Sequence, residues 1–211
     1  MPKRRQPDTR ERIIQAAERL FARQGIAAVS LQRIVAAADH RNTSAVQYHF
    51  GSKQALIKAI FAYRQERLDA QRSALLAEMD RRGRSRELRP LVEAIVYPMA
   101  EAVQPGSSYI RFVAQAMYDP VQRYIRRKDL GRLEATQEME TRVLTALHDL
   151  PERVRRQRFR LAWRLAVQAL AVHERDLDSR QRPLMSTEAL AADLVESILG
   201  LLSAPLAAAE R

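Results

Sequence analysis

Between Ser30 and Lys53 the chain reads SLQRIVAAADHRNTSAVQYHFGSK, two short runs of helical apolar spacing on either side of a polar break. The second run carries Asn42, Thr43, Ser44, Gln47, Tyr48 and His49, and leaves only Ala45, Val46 and Phe50 to pack inward. A helix of this size that served only a core would hold more apolar side chains. Hydroxyl, amide, phenol and imidazole groups on a short rod suit duplex DNA instead. Thr43 and Ser44 stand at the helix start, where a recognition helix meets base edges. Gln47, one turn on, has the paired donor and acceptor that match adenine. Tyr48 and His49 suit phosphate oxygens, although both residue types also fit a partly buried structural position. Ser52 and Lys53 open the next helix, where free N–H groups, the positive dipole end and a lysine charge together favour a phosphate. On the preceding helix, capped by Ser30, Arg33 points opposite Ile34 and Val35 towards the same groove. Lys3, Arg4 and Arg5 form a basic arm suited to a minor groove. The layout is that of a helix-turn-helix.

Charge supports this placement. The 211 residues carry a formal net charge of +11. Residues 1–53 hold ten Lys/Arg against four Asp/Glu, a net of +6, and the remaining 158 hold 26 against 21, a net of +5. A basic face attracts polyanions through counterion release whatever their sequence. The chain has no cysteine, which excludes disulfides and thiolate metal sites and fits a cytoplasmic location. No apolar run is long enough to span a bilayer, so no membrane association is expected. Gly-rich phosphate loops, His-x-x-Glu metal pairs and cysteine nucleophiles are all missing, so no catalytic residue, cofactor or metal is expected. His148 and His173 read as capping or core residues.

Apolar residues recur at helical spacing almost throughout, and no strand alternation stands out. The pattern predicts an all-α chain of about nine helices, near residues 9–24, 31–38, 43–49, 52–81, 91–103, 108–117, 130–148, 151–175 and 186–203. Asp8 with Glu11 forms a capping box for the first, and Gly25 ends it. Leu56, Ile60, Ala70 and Leu75 are the expected apolar positions of the fourth. The fifth is expected to bend or break at Pro98. The eighth has a wide apolar surface that includes Phe159, Ala162, Trp163, Ala166 and Leu170 and also Leu161, Leu165 and Val172, enough for a protomer core alone or for a core and a second face.

The opening TRERIIQAAERLFARQGIAAVSLQRIVAAAD and the close AVQYHFGSKQALIKAIF, with Tyr-His-Phe-x-x-Lys after a short helix, resemble the DNA-binding domain of TetR-family transcriptional regulators over residues 9–61. The resemblance implies DNA contacts from Arg33, Thr43, Ser44, Gln47, Tyr48, His49 and Lys53. The turn ADHRNTSA is one residue longer than the common AGVSKGT-like form and lacks its glycine, and an Arg-Asn-rich turn adds Arg41 and Asn42 to the candidates. The resemblance further implies a TetR-like fold, with a three-helix head over residues 1–51 and a helical ligand-binding and dimerisation bundle over 52–211. It implies a homodimer paired through the last two long helices on a palindromic operator. It also implies a small effector held among the fifth to eighth helices, where Tyr97, Tyr109, Arg111, Phe112, Met117 and Trp163 are candidates and an inward-facing Arg111 would anchor an anion. The same side chains suit a filled helical core equally well. The function expected is a ligand-responsive, sequence-specific regulator, a repressor released from its operator by the effector. The alternative is an architectural protein that binds DNA without sequence preference.

Overall fold

The computed structural model describes residues 8–38, 48–118, 133–179 and 183–206, and no strand occurs among them. Eight helices are bounded: α1 (Thr9–Gln24), α2 (Leu31–Ala37), α3 (Lys53–Arg81), α4 (Leu88–Ala102), α5 (Tyr109–Ala116), α6 (Glu134–Ala146), α7 (Glu152–Asp178) and α8 (Thr187–Ser203). Residues 48–50 are helical as well. The all-α expectation is met, and α1, α2, α3 and α8 lie within a residue of where periodicity puts them. The Asp8 carboxylate accepts the Glu11 N–H at 2.8 Å and starts α1. Gly25, at φ 81°, ends it. Ile13, Ile14, Ala17 and Phe21 are buried along one stripe of α1.

Two expectations are met only in part: Leu56 and Ile60 are buried as the apolar spacing predicts, but not every member of that set is, and α4 does not break. Ala70 on α3 is exposed and Leu75 only half-buried, while Leu68, Asp69, Arg72, Leu76 and Met79 are buried. And α4 is not broken at Pro98 but runs continuously through it. Proline has no N–H, so the Ala94 carbonyl one turn earlier loses its helical donor. The Arg72 side chain, 1% exposed, supplies the replacement: its Nε donates to that carbonyl at 3.3 Å. One guanidinium N–H from α3 thus stands in for the one missing from α4, and the helix continues.

Arg72 is held from other sides too. It donates to Thr136 Oγ1 at 3.1 Å and lies 5.4 Å over the Trp163 ring. Burial pulls its pKa down to about 10, against the pull of Tyr109 and Asp69. The Asp69 carboxylate accepts the N–H groups of Ala135 at 3.1 Å and Thr136 at 2.9 Å, and the Thr136 hydroxyl at 2.7 Å. Since α6 lacks a capping side chain of its own, Asp69 caps it from another helix, where a carboxylate also meets the positive dipole end. A polar chain of Asp69, Thr136 and Arg72 therefore fixes α3, α4 and α6 together.

The apolar core is one continuous cluster from Ile13 on α1 to Leu202 on α8. On α7, Phe159, Ala162, Ala166 and Leu170 are buried and Trp163 is half-buried, whereas Leu161, Leu165 and Val172 are exposed. The helix also runs three residues further than expected, to Asp178. Among the described residues, no helix is long and apolar enough to cross a membrane.

The Arg72 arrangement carries a prediction. Arg72→Leu leaves the buried Ala94 carbonyl without a donor and should cost about 1–3 kcal/mol in urea unfolding. Arg72→Leu combined with Pro98→Ala, which returns an N–H to that carbonyl, should recover a large part of the loss. A double variant no more stable than the single one would show that the carbonyl is not the cause.

Candidate nucleic-acid interface

Ser30 Oγ accepts the Arg33 N–H at 3.3 Å and so starts α2. Ile34 and Val35 turn into the core, which leaves Arg33 exposed on the other side. Tyr48 is 86% exposed, with its ring set edge-on to His49 at 5.2 Å. His49 is exposed as well, while Phe50 turns half inward beneath the Arg10 guanidinium, 5.5 Å from its ring centroid. Gly51 then takes φ 69°, a left-handed conformation that costs a glycine little. Directly after it, the Ser52 N–H donates to the Phe50 carbonyl at 2.8 Å, and Ser52 Oγ caps α3 by accepting the Ala55 N–H at 3.1 Å. A tight turn thus places Tyr48 and His49 next to the start of α3.

Lys53 has a structural engagement that its sequence position did not suggest. Its Nζ donates to the Ala27 carbonyl at 3.4 Å and lies 5.6 Å over the Phe21 ring, tying the start of α3 to the turn after α1. Ser30 and Ser52 both act as caps. Arg41, Asn42, Thr43, Ser44 and Gln47, with the arm Lys3, Arg4 and Arg5, lie outside the described residues.

The head is bound to the body by contacts that sequence reasoning missed. Phe21 on α1 lies 6.2 Å from Phe112 on α5, which lies 5.0 Å from Phe61 on α3. Glu18 on α1 is 2% exposed, and its carboxylate accepts Arg64 Nε at 2.7 Å and Arg64 Nη2 at 2.9 Å. Asp178, the last residue of α7, accepts Arg23 from the head at 2.9 Å and Arg111 from α5 at 3.2 Å. Arg23 first and then Arg111 hold the Asp178 carboxyl below the usual carboxylate range. A signal for the first ion pair did exist. Glu18 sits on the stripe of Ile14, Ala17 and Phe21, and a carboxylate there demands a cation.

The six candidate effector residues fall in separate places. Tyr109 and Phe112 are buried in the aromatic joint, 6.3 Å apart. Burial pushes the Tyr109 phenol up, and its oxygen accepts Gln65 Nε2 at 3.1 Å. Arg111 does face inward, but protein groups already engage its Nε and Nη2. Nε reaches Glu174 at 3.3 Å, and Nη2 reaches the Ser107 carbonyl at 3.2 Å, Ser108 Oγ at 3.1 Å and Asp178. Glu174 is 1% exposed, and burial raises its pKa despite Arg111. Trp163 covers Arg72, and Met117 is half-buried just beyond the end of α5. Tyr97 alone of the six lines an open groove of about 870 Å³ between α3, α4 and the start of α8, beside Gln71, Leu75, Pro98, Glu101 and Ala191. His173 is buried and shares a hydrogen bond with Thr187 Oγ1 at 2.9 Å, as a core histidine does.

Residues 13–60 match the family model described as bacterial regulatory proteins, tetR family. Among solved structures the chain is similar over nearly its whole length to AmtR of Mycobacterium smegmatis, with 17% identity, 98% of this chain and 92% of that one covered, and a TM-score of 0.63. It is similar to native NalD of Pseudomonas aeruginosa, described as the secondary repressor of the MexAB-OprM multidrug efflux pump, with 22% identity, coverage of 90% and 94%, and a TM-score of 0.54. It is similar also to PfmR, a TetR-family transcriptional regulator of Thermus thermophilus, with 20% identity, coverage of 95% and 99%, and a TM-score of 0.52. No curated protein matches the chain significantly in sequence. The family match is confined to residues 13–60, and over its whole length the chain has the fold of these solved structures.

The Asp178 tie generates a pH prediction. A carboxyl whose folded pKa lies below its unfolded value contributes stability above that unfolded value, about 3.9. The contribution is lost as pH falls through the lower folded value. In wild type, amide protection in α1, measured against the intrinsic exchange rate at each pH, should therefore hold from pH 7 to about pH 4 and fall below it. Asp178→Asn should show the faster exchange already at pH 7. Identical exchange in the two proteins at pH 7 would mean that the aromatic joint holds the head unaided.

Proposed function

We propose that the chain is a ligand-responsive, sequence-specific repressor that binds a palindromic operator as a homodimer in the cytoplasm. Residues 1–51 form the reading head and residues 52–211 the ligand-binding and dimerisation bundle. The observation that carries this reading is the exposure of Tyr48, His49 and Arg33 beside the start of α3, in the segment that matches the family model. Arg33, Tyr48, His49, Ser52 and Lys53 contact the backbone and groove edges. Thr43, Ser44 and Gln47 read bases, with Arg41 and Asn42 adding contacts. Ser30 orients Arg33 through its cap. The repressor role described for NalD supports the direction of control.

Release follows from α3. Its 29 residues make a rod of about 43 Å at 1.5 Å per residue. One end lies at the DNA face, and further along Gln71, Ala74 and Leu75 wall the groove that Tyr97 also lines. An effector seated there pushes α3 and changes the separation of the two heads, which must match one DNA turn, about 34–36 Å. A coupling of about 1–3 kcal/mol between the sites would suffice. Arg111 is not the anchor in this account, because Glu174 and Asp178 already hold it.

The test is fluorescence anisotropy on fragments from the DNA flanking the coding region, in competition at fixed salt. One fragment should be preferred by at least about 10³-fold over random duplex. Arg33→Ala should weaken binding to it and lower the slope of log affinity against log salt by about 1, as loss of one phosphate contact does. Tyr48→Ala should weaken binding with α-helical content unchanged. Equal affinity for every fragment would favour the architectural alternative instead.

A further inference from the structure

Among the described residues, nothing covers the exposed set on α7, which forms a stripe. Leu161 is 41% exposed, Leu165 37% and Val172 45%. At about 100° per residue the three fall within about 40° of one another around the helix. α8 lies antiparallel beside α7. His173 meets Thr187 at one end of the pair, and Arg158 donates to the Leu202 carbonyl at 2.9 Å at the other. Those contacts show which side of α7 faces α8. Arg164 lies about 60° beyond Leu161, on the edge of the stripe turned away from α8. On α8, Leu194 and Leu202 are buried, while Asp193 is exposed on the edge turned away from α7. The same register sets Asp193 level with Val167, about 4.5 Å along the axis from Arg164.

Neither residue has an opposite charge among the described residues. Among the described residues, no hydrogen bond or ion pair reaches the Arg164 guanidinium or the Asp193 carboxylate, whereas neighbouring Arg158 and Glu196 are each bonded. A two-fold axis lying along the α7–α8 pair places the second copy's α8 over this copy's α7, stripe against stripe. Outer edge then meets outer edge, and by symmetry each meeting occurs twice.

We infer that in the homodimer Arg164 of one copy pairs with Asp193 of the other, closing both seams of the apolar face with identical ion pairs. The inference rests on the homodimer reading above and adds the residues that set its register. Apolar side chains alone permit sliding by a turn, whereas two opposed charge pairs penalise every register but one.

Sedimentation equilibrium of the full-length protein tests it. Arg164→Glu sets two carboxylates together at each seam, and Asp193→Lys sets two cations together. Each variant should raise the dimer dissociation constant at least about tenfold. An equimolar mixture of the two should restore wild-type affinity, because that heterodimer has one Glu–Lys seam and one Arg–Asp seam. Far-ultraviolet circular dichroism checks folding; should either variant lose helicity, Arg164→Gln and Asp193→Asn replace them, with a smaller weakening expected and greater salt sensitivity in wild type than in either. Wild-type affinity in both single variants, or a mixture no tighter than its components, would overturn the pairing while leaving the homodimer in place. A wild-type protein that sediments only as a monomer would remove both.

Discussion

The structure depends first on the joint at Phe112, where one aromatic side chain touches Phe21 of the head and Phe61 of the long helix. About fifty residues bury too little apolar surface to fold reliably alone. The head solves this by sharing its core with the body: Ile13, Phe21, Ile57, Phe61 and Phe112 belong to one cluster. Because packed interiors have two arrangements or one rather than a continuum, the shared core also makes the head's orientation a property of the whole molecule.

Charge reinforces what the aromatic contact establishes. Glu18 with Arg64 ties α1 to α3, and Arg23 with Asp178 ties α1 to the end of α7. Arg111 lies between α1 and α7, with its Nε and Nη2 engaged by Glu174, Asp178 and the turn before α5. The exposed Arg23 pair is worth little by itself. Glu18 is different, since it is almost wholly buried and would be costly without its guanidinium. The same logic governs Asp69 and Arg72 deeper in the body, where charged groups substitute for a missing cap on α6 and a missing N–H on α4.

This economy explains why the body offers less room than its aromatic content suggests. Tyr109, Phe112, Arg111 and Trp163 are committed to the joint, the ion network and the Arg72 site. The open volume lies elsewhere, against the outer side of α3 and α4, where Tyr97 lies.

The sequence by itself determined the local features: helix positions where caps and apolar spacing agree, as in α1 and α8, the polar character of residues 42–49, and the wide apolar surface of α7. Each of these depends on neighbours within a turn or two, so spacing suffices to find them. The burial of Asp69 and Arg72 in place of Ala70, the uninterrupted α4, and the second engagement of Lys53 were decided only in the tertiary structure. Each joins residues distant in the chain: Arg72 to Ala94, Asp69 to Thr136 and Lys53 to Ala27. A charged side chain on an apolar stripe shows in sequence that a partner is required. Which partner answers is fixed only when another helix arrives with a donor or acceptor in reach.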